Sequence, residues 1–349
     1  MNATSVLVLG IAFAILAGIM SGTFTLPMRY LGRWAWENVW ALFILVACVI
    51  LPIVIVSATQ PGFIDVLANS PQRAVAMACV SGFAWGFGAI MFGQGISAVG
   101  ISMGNTLVLS ISAALGSLIP ILLLAPEQLH QTQGRVILLG TSIGIAGIAC
   151  CGYAGFLRER SQKDEGDNMR GGMVGQARPF GVGLLLCAGS GLLSAVFNIG
   201  YSSAQPVLET AVRMGHSAFA GSNLIWLLML TSGAVPNFFF CGYLFKKNDS
   251  WGKYAVANSS QLYILAIIMG LLWGGNTFMY GFASPKLGKL GPAIGWPLTL
   301  ITGLITANIC GFLTGEWRLT QLKDRVWMVA GLVAMLAAIA TLGWSSTFR

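Results

Sequence analysis

Charge is what this chain has least of. Only 9% of its 349 residues are Asp, Glu, Lys or Arg, whereas a soluble domain carries about a quarter. That shortage excludes a large water-soluble globule, whose buried helices would still need polar outer faces. Histidine is scarce as well: His130 and His216 are the two present, and neither sits in a partner motif. The seven cysteines (Cys48, Cys79, Cys150, Cys151, Cys187, Cys241 and Cys310) all fall inside apolar stretches. No Cys-x-x-Cys pair occurs among them, so neither a zinc nor a redox site is expected, and buried cysteine reads as small apolar filler. No cluster of catalytic groups stands out, so neither an enzyme nor a cofactor is expected. A basic stripe interleaved with aromatics is missing, which argues against nucleic acid. The net charge of +8 reads instead as loops facing anionic membrane lipid. Nothing basic precedes the first apolar run, as a secretory signal would require, so Ser5–Leu26 is expected to be a retained helix.

What is there is long and apolar. The chain divides into ten uncharged stretches, approximately 5–26, 38–58, 74–97, 101–125, 136–157, 179–204, 217–245, 260–283, 290–314 and 326–348. A helix needs about 20 apolar residues to cross the hydrocarbon core of a bilayer. The expectation is an all-α, polytopic membrane protein of ten transmembrane helices, integral to the plasma membrane (a bacterial inner membrane). Lys and Arg set its orientation. Arg29, Arg33, Arg158, Arg160, Lys163, Arg170, Arg178, Lys246, Lys247, Lys253, Arg318, Lys323 and Arg325 lie in odd-numbered gaps; Arg73, Arg135, Arg213, Lys286, Lys289 and Arg349 lie on the other side. That bias places both termini outside and the central loop in the cytoplasm.

The most polar run, 158–178, separates an N-terminal five-helix repeat (1–157) from a C-terminal one (179–349). The halves echo each other in order. Gly18-Ile-Met-Ser21-Gly22-Thr-Phe24 matches Gly191-Leu-Leu-Ser194-Ala195-Val-Phe197, and Gly82-x-x-Trp85-Gly86 matches Gly270-x-x-Trp273-Gly274. Gly100-x-x-x-Gly104 matches Gly291-x-x-x-Gly295, and Glu127…Arg135-Val136 matches Glu316…Arg325-Val326. Five is odd, so the second half must enter the membrane from the opposite side. Two inverted repeats are a frequent transporter architecture, with the solute held near the midplane between them. The glycines at four-residue spacing are expected to serve close helix packing, since small residues let backbones approach where lipid leaves little hydrophobic drive.

Leu313-Thr-Gly-Glu316-Trp-Arg-Leu319 before a Gly/Ala-rich last helix resembles the closing motif of the drug/metabolite transporter superfamily, with Pro126-Glu127-Gln-Leu129 as a fainter copy. Trp34-Ala-Trp36-Glu37-Asn-Val-Trp40, Trp85-Gly86-x-Gly88, Gly100-Ile-Ser102-Met103-Gly104, Pro206-Val-Leu-Glu209 and Glu316-Trp317 together resemble the L-rhamnose–proton symporter family along nearly the full length. Gly291-Pro-Ala-Ile-Gly295-Trp296-Pro297 departs from that family's bacterial carriers. The resemblance implies secondary active uptake of a small neutral sugar, a rhamnose-like deoxysugar, by proton symport with alternating access. It also implies that Glu37 and Glu209, which match the family pattern, are the candidates for coupling to H⁺; helix capping by Glu37 is the plainer alternative.

The residues themselves favour a neutral cargo. Mid-span polarity is uncharged: Thr25, Gln94, Asn105, Asn198, Asn223, Asn276, Asn308 and Tyr280, beside Trp85, Trp273 and Trp296. Asn and Gln offer both donors and acceptors, which suits hydroxyl groups, and an indole face suits the C–H face of a sugar ring. The candidate substrate residues are Trp85, Gln94, Asn105, Asn198, Trp273, Asn276, Tyr280 and Trp296. Each polar one could equally bond a neighbouring helix. Pro120, Pro292 and Pro297 mark places where freed backbone groups could line a cavity. A metabolite exporter or exchanger of the same superfamily, and a non-transporting sugar sensor, are the alternative functions.

Overall fold

The computed structural model describes residues 3–24, 26–99, 101–124, 126–164, 179–256, 259–288, 290–313, 317, 320–345 and 347–348. Its regular elements there are all helices. In chain order they are α1 (Ala3–Thr23), α2 (Trp36–Ile44), α3 (Leu51–Thr59), α4 (Phe63–Asn69), α5 (Gln72–Val99), α6 (Ile101–Leu124) and α7 (Thr132–Asp164). They continue with α8 (Phe180–Ser203), α9 (Gln205–Arg213), α10 (Ala218–Asn248), α11 (Ser259–Ala283), α12 (Gly291–Leu313) and α13 (Leu322–Ser345). Among the described residues, nine helical stretches are long and apolar enough to cross a membrane. The remaining expected span is α6, within which Leu107–Ile119 forms a shorter apolar run. The protein is a polytopic, integral membrane protein. Exposed positions on the spans remain apolar, as at Leu185 (74% exposed), Phe239 (77%) and Leu313 (80%), as a surface against hydrocarbon requires.

Three features depart from ten plain rods. The span Trp36–Thr59 is continuous, yet its middle, Leu45–Ile50, is wound as a π-helix joining α2 to α3. Such bulges occur often at functional sites. Two short helices, α4 and α9, were not expected, and they touch each other beyond the ends of α3 and α8. Gly62, with φ of 76°, turns the chain into α4, a conformation that costs glycine little. The expected linker at 158–178 begins inside α7, which runs to Asp164; residues 165–178 lie outside the described part. Pro120 and Pro297 sit within continuous helices, and a further proline, Pro236, stands inside α10.

The helices pack in matched pairs. α1 lies along α12 and α11, and α8 lies along α6 and α5. α5 packs on α10, α11 packs on the π segment and α2, and α7 packs on α13. The glycine pairs read from the sequence make these seams. A Cβ on Gly82 would strike the Met229 carbonyl oxygen, and one on Gly86 would strike that of Gly233. A Cβ on Gly270 would lie 2.7 Å from Val46 Cβ, and one on Gly274 would lie 3.0 Å from Ala47 Cα. The larger of the buried clusters runs through α2, α5, α8, α10 and α11.

Candidate functional site

The seams bring aromatic rings together at the centre. Gly82 and Gly86 press one face of α5 onto α10, and Trp85 between them turns into the bundle. Its indole stacks on Trp273 of α11 at 5.0 Å and 17°, and on Phe197 of α8 at 4.8 Å and 29°. Phe197 in turn meets Trp226 of α10 at 5.3 Å and Trp296 of α12 at 6.5 Å. Tyr280 joins Trp296 at 5.7 Å and Trp226 at 5.9 Å, and Tyr201 stacks on Trp226 at 4.7 Å. On the other side the rings continue from Trp273 to Phe43 at 5.8 Å, Trp40 at 5.1 Å and Trp36 at 4.9 Å. Edge and offset contacts of this kind hold rings firmly while presenting apolar faces.

Polar groups edge the rings. Asn198 is fully buried; its Nδ2 donates to the Gly116 carbonyl at 2.8 Å and the Pro292 carbonyl at 3.2 Å. Its Oδ1 accepts from the Tyr280 hydroxyl at 2.6 Å. Trp296 Nε1 donates to Ser112 Oγ at 3.2 Å, and its indole lies against Gly116, where a Cβ would come within 2.6 Å of the ring. Only glycine at that point lets Trp296 and Asn198 reach α6 together. Asn237, one residue past Pro236, accepts from Trp40 Nε1 at 2.8 Å and donates to the Gly86 carbonyl at 3.2 Å and its own helix's Gly233 carbonyl at 2.9 Å.

Each membrane end of this column carries a polar tie. Glu37, 2% exposed, opens α2. Its Oε1 accepts from Ser250 Oγ at 2.5 Å and Asn248 Nδ2 at 3.0 Å. Asp249 makes this possible by adopting φ 47° and ending α10, a left-handed conformation that Asp tolerates better than most residues. Asn38 Nδ2 donates to the Ser250 carbonyl at 3.0 Å, and Tyr254 donates to the Asn38 carbonyl at 2.9 Å. Burial pushes the Tyr254 hydroxyl up to about 12, so it remains a donor. At the opposite end, Asn223 Nδ2 of α10 donates to Thr59 Oγ1 of α3 at 3.2 Å.

Of the substrate candidates, Trp85, Asn198, Trp273, Tyr280 and Trp296 converge on this column. Asn276 turns its Nδ2 back to the Trp273 carbonyl of its own helix at 2.5 Å. Gln94 lies nine residues beyond Trp85 on α5, about 13 Å along a helix, beside Gly93, which faces Trp36. Asn308 bonds its own helix at Leu304. Asn223 belongs to the Thr59 tie and not to the centre. The Asn105 side chain and Thr25 lie outside the described residues. Glu209 is exposed on α9, whereas Glu37 is buried in the first turn of α2 and accepts from Asn248 and Ser250 across the fold. Phe43, Phe197, Tyr201, Trp226 and Asn237 were missed. The adjacency Pro236-Asn237 inside an uncharged run was a signal for the last; the others are ordinary apolar-span residues until the helices pair.

A family model described as L-rhamnose-proton symport protein (RhaT) matches residues 1–346. An L-rhamnose-proton symporter of Yersinia pestis (strain Pestoides F) is 26% identical over 342 residues, covering 95% of this chain and 96% of that protein. The L-rhamnose-proton symporter of Yersinia pseudotuberculosis serotype O:1b (strain IP 31758) matches to the same extent. A solved crystal structure shares the fold with a TM-score of 0.60, at 12% identity over 95% of both chains. The match along almost the whole chain places this protein in a family of transporters, not of enzymes: the chain belongs to the L-rhamnose-proton symport protein family.

Proposed function

We propose that the protein takes up a small neutral sugar, a rhamnose-like deoxysugar, together with H⁺ by alternating access, and that the sugar is held where Trp85 lies between Trp273 and Phe197. The observation that carries this is the aromatic column that runs from Trp273 through Trp85 and Phe197 to Trp296, where Tyr280 meets Trp296 and bonds Asn198. Trp273 and Phe197 cover the two faces of the Trp85 indole here. The C–H side of a deoxyhexose ring, which fits an indole face, therefore takes the place of one of those rings as the halves part. The amide of Asn198 and the Tyr280 hydroxyl can exchange their present partners for sugar hydroxyls. The relatives' names agree with that chemistry.

The halves 1–157 and 179–349 act as inverted repeats. Helix pairing supports this: α5 packs on α10 as α11 packs on the α2 span, and α1 on α12 as α8 on α6. Each of those relations maps onto the other when first-half spans are exchanged for their second-half counterparts. Trp85 and Trp273 are such counterparts, and they stack on each other where the halves meet. The distribution of Lys and Arg supports both termini outside.

Coupling to H⁺ falls to Glu37 in preference to the exposed Glu209. As a carboxylate, Glu37 receives two hydrogen bonds that tie α2 to the end of α10, with Lys253, Tyr254 and Cys241 as its titratable neighbours. A proton on the carboxyl leaves an oxygen that can still accept but removes its charge, and a hydrogen bond to a charged group is worth about 1.5–3 kcal/mol against about 1 for a neutral one. Protonation therefore weakens the tie at this end of the bundle. The test is uptake of labelled L-rhamnose by proteoliposomes under an imposed pH gradient. Accumulation that a protonophore abolishes is the expected result; accumulation indifferent to the protonophore removes H⁺ coupling, and no uptake of L-rhamnose removes the cargo.

A further inference from the structure

At the end of the column opposite Glu37, three fully buried side chains hold polar atoms that the fold does not use. Gln60 Nε2, Gln60 Oε1, Asn223 Oδ1 and Trp226 Nε1 find no hydrogen-bond partner among the described residues, and all three residues are 0% exposed. Buried polar atoms are rarely left this way, because each has given up water without replacement. They belong to one corner. Gln60 directly follows Thr59, whose hydroxyl accepts from Asn223 Nδ2 at 3.2 Å. Asn223 and Trp226 are three residues apart on α10 and so share a face. Opposite the Trp226 indole nitrogen stands Gly281, where a Cβ would come within 2.5 Å of it, so α11 presents bare backbone there. Trp226 also stacks on Tyr201, whose hydroxyl pairs with Ser222 Oγ at 2.9 Å, and it touches Phe197. The corner thus abuts the central aromatic column.

Its chemistry is specific. Gln60 Nε2 and Trp226 Nε1 are donors; Gln60 Oε1 and Asn223 Oδ1 are acceptors. Donors and acceptors in equal supply, with no charge, match hydroxyl groups, each of which gives and takes one bond. We propose that Gln60, Asn223 and Trp226 form a second hydroxyl-binding site, an end station where a neutral polyhydroxylated solute is held at the membrane face where α3 ends, before or after it occupies the Trp85 sandwich. The site presupposes the sugar transport proposed above.

Gln60→Met keeps the length of the side chain and removes both orphaned atoms; Trp226→Phe keeps a ring on Tyr201 and removes the N–H. Labelled L-rhamnose flux in proteoliposomes, and melting of the purified protein with and without a panel of neutral sugars, distinguish the outcomes. The expected result is a KM raised roughly tenfold in each variant, the loss of about one net hydrogen bond. In the absence of sugar, melting of Gln60→Met should be at or above that of the wild type, and that of Trp226→Phe lowered by the volume it gives up. Lower melting with unchanged KM means that bound water or packing alone uses these atoms, and overturns the site. Wild-type transport with unchanged KM in both variants overturns the site but leaves the function standing. A wild type inert towards every sugar of the panel overturns both.

Discussion

Asn198 is the side chain on which three helices depend at once. Its buried amide holds carbonyls of α6 and α12 and receives the Tyr280 hydroxyl of α11. Tyr280→Phe removes one donor and should lower unfolding stability in detergent by about 1 kcal/mol. Asn198→Leu strands two carbonyls and that hydroxyl and should cost about two to three times as much; equal losses in chemical unfolding would show that the bonds to Gly116 and Pro292 contribute nothing. Glu37→Gln keeps an oxygen able to accept from Ser250 and Asn248 but cannot take up a proton. It should retain sugar binding and exchange across the membrane while losing accumulation driven by a pH gradient. Undiminished accumulation in that variant transfers the coupling role elsewhere. At this scale the sequence was informative wherever polarity interrupted an apolar run: Glu37 and Asn198 stood out for that reason. Gln60 did not, because it ends its helix beside a loop; Asn237 interrupts its run next to Pro236, but its bonds reach residues some 150 to 200 positions away, so its partners were not legible.

The α5–α10 and α11–π-segment seams are where backbone meets backbone, so a methyl group has no room to be absorbed. Gly86→Ala drives a Cβ into the Gly233 carbonyl and the Pro236 ring. Overpacking of this kind costs about 1–3 kcal/mol and also pushes Trp85 off Trp273, so both melting temperature and sugar affinity should fall. Gly275→Ala, whose Cβ meets only the terminal methyl of Met20 at 2.6 Å, should be nearly neutral because an unbranched thioether re-packs readily. Similar losses at both positions in a thermal melt would refute the distinction between rigid and yielding seams. Span positions were legible from the absence of charge, since lipid leaves no other signal so strong. The π-helix at Leu45–Ile50, and helices α4 and α9, were not. A π turn keeps the same apolar composition as an α turn, and α9 continues the α8 span after a break of one residue.

Across the whole molecule, the bundle is tied at both membrane faces: Glu37 to Asn248 and Ser250 at one, Thr59 to Asn223 at the other. The two ties join the same pair of elements, the Trp36–Thr59 span and α10, at their opposite ends. If those elements rock about the π segment and the Trp85–Trp273 stack between the ties, weakening one end must favour opening there and closure at the other. A ligand or mutation shifts such an equilibrium only by its differential effect on the two states. Asn248→Ala removes a hydrogen bond to a charged group, worth about 1.5–3 kcal/mol, and Thr59→Val removes a neutral one, worth about 1. The KM measured from each side of oriented proteoliposomes should therefore move in opposite senses in the two variants, and by more in Asn248→Ala. Shifts of the same sense in both would mean that the ties act as general supports for folding, and that the span does not pivot about its middle.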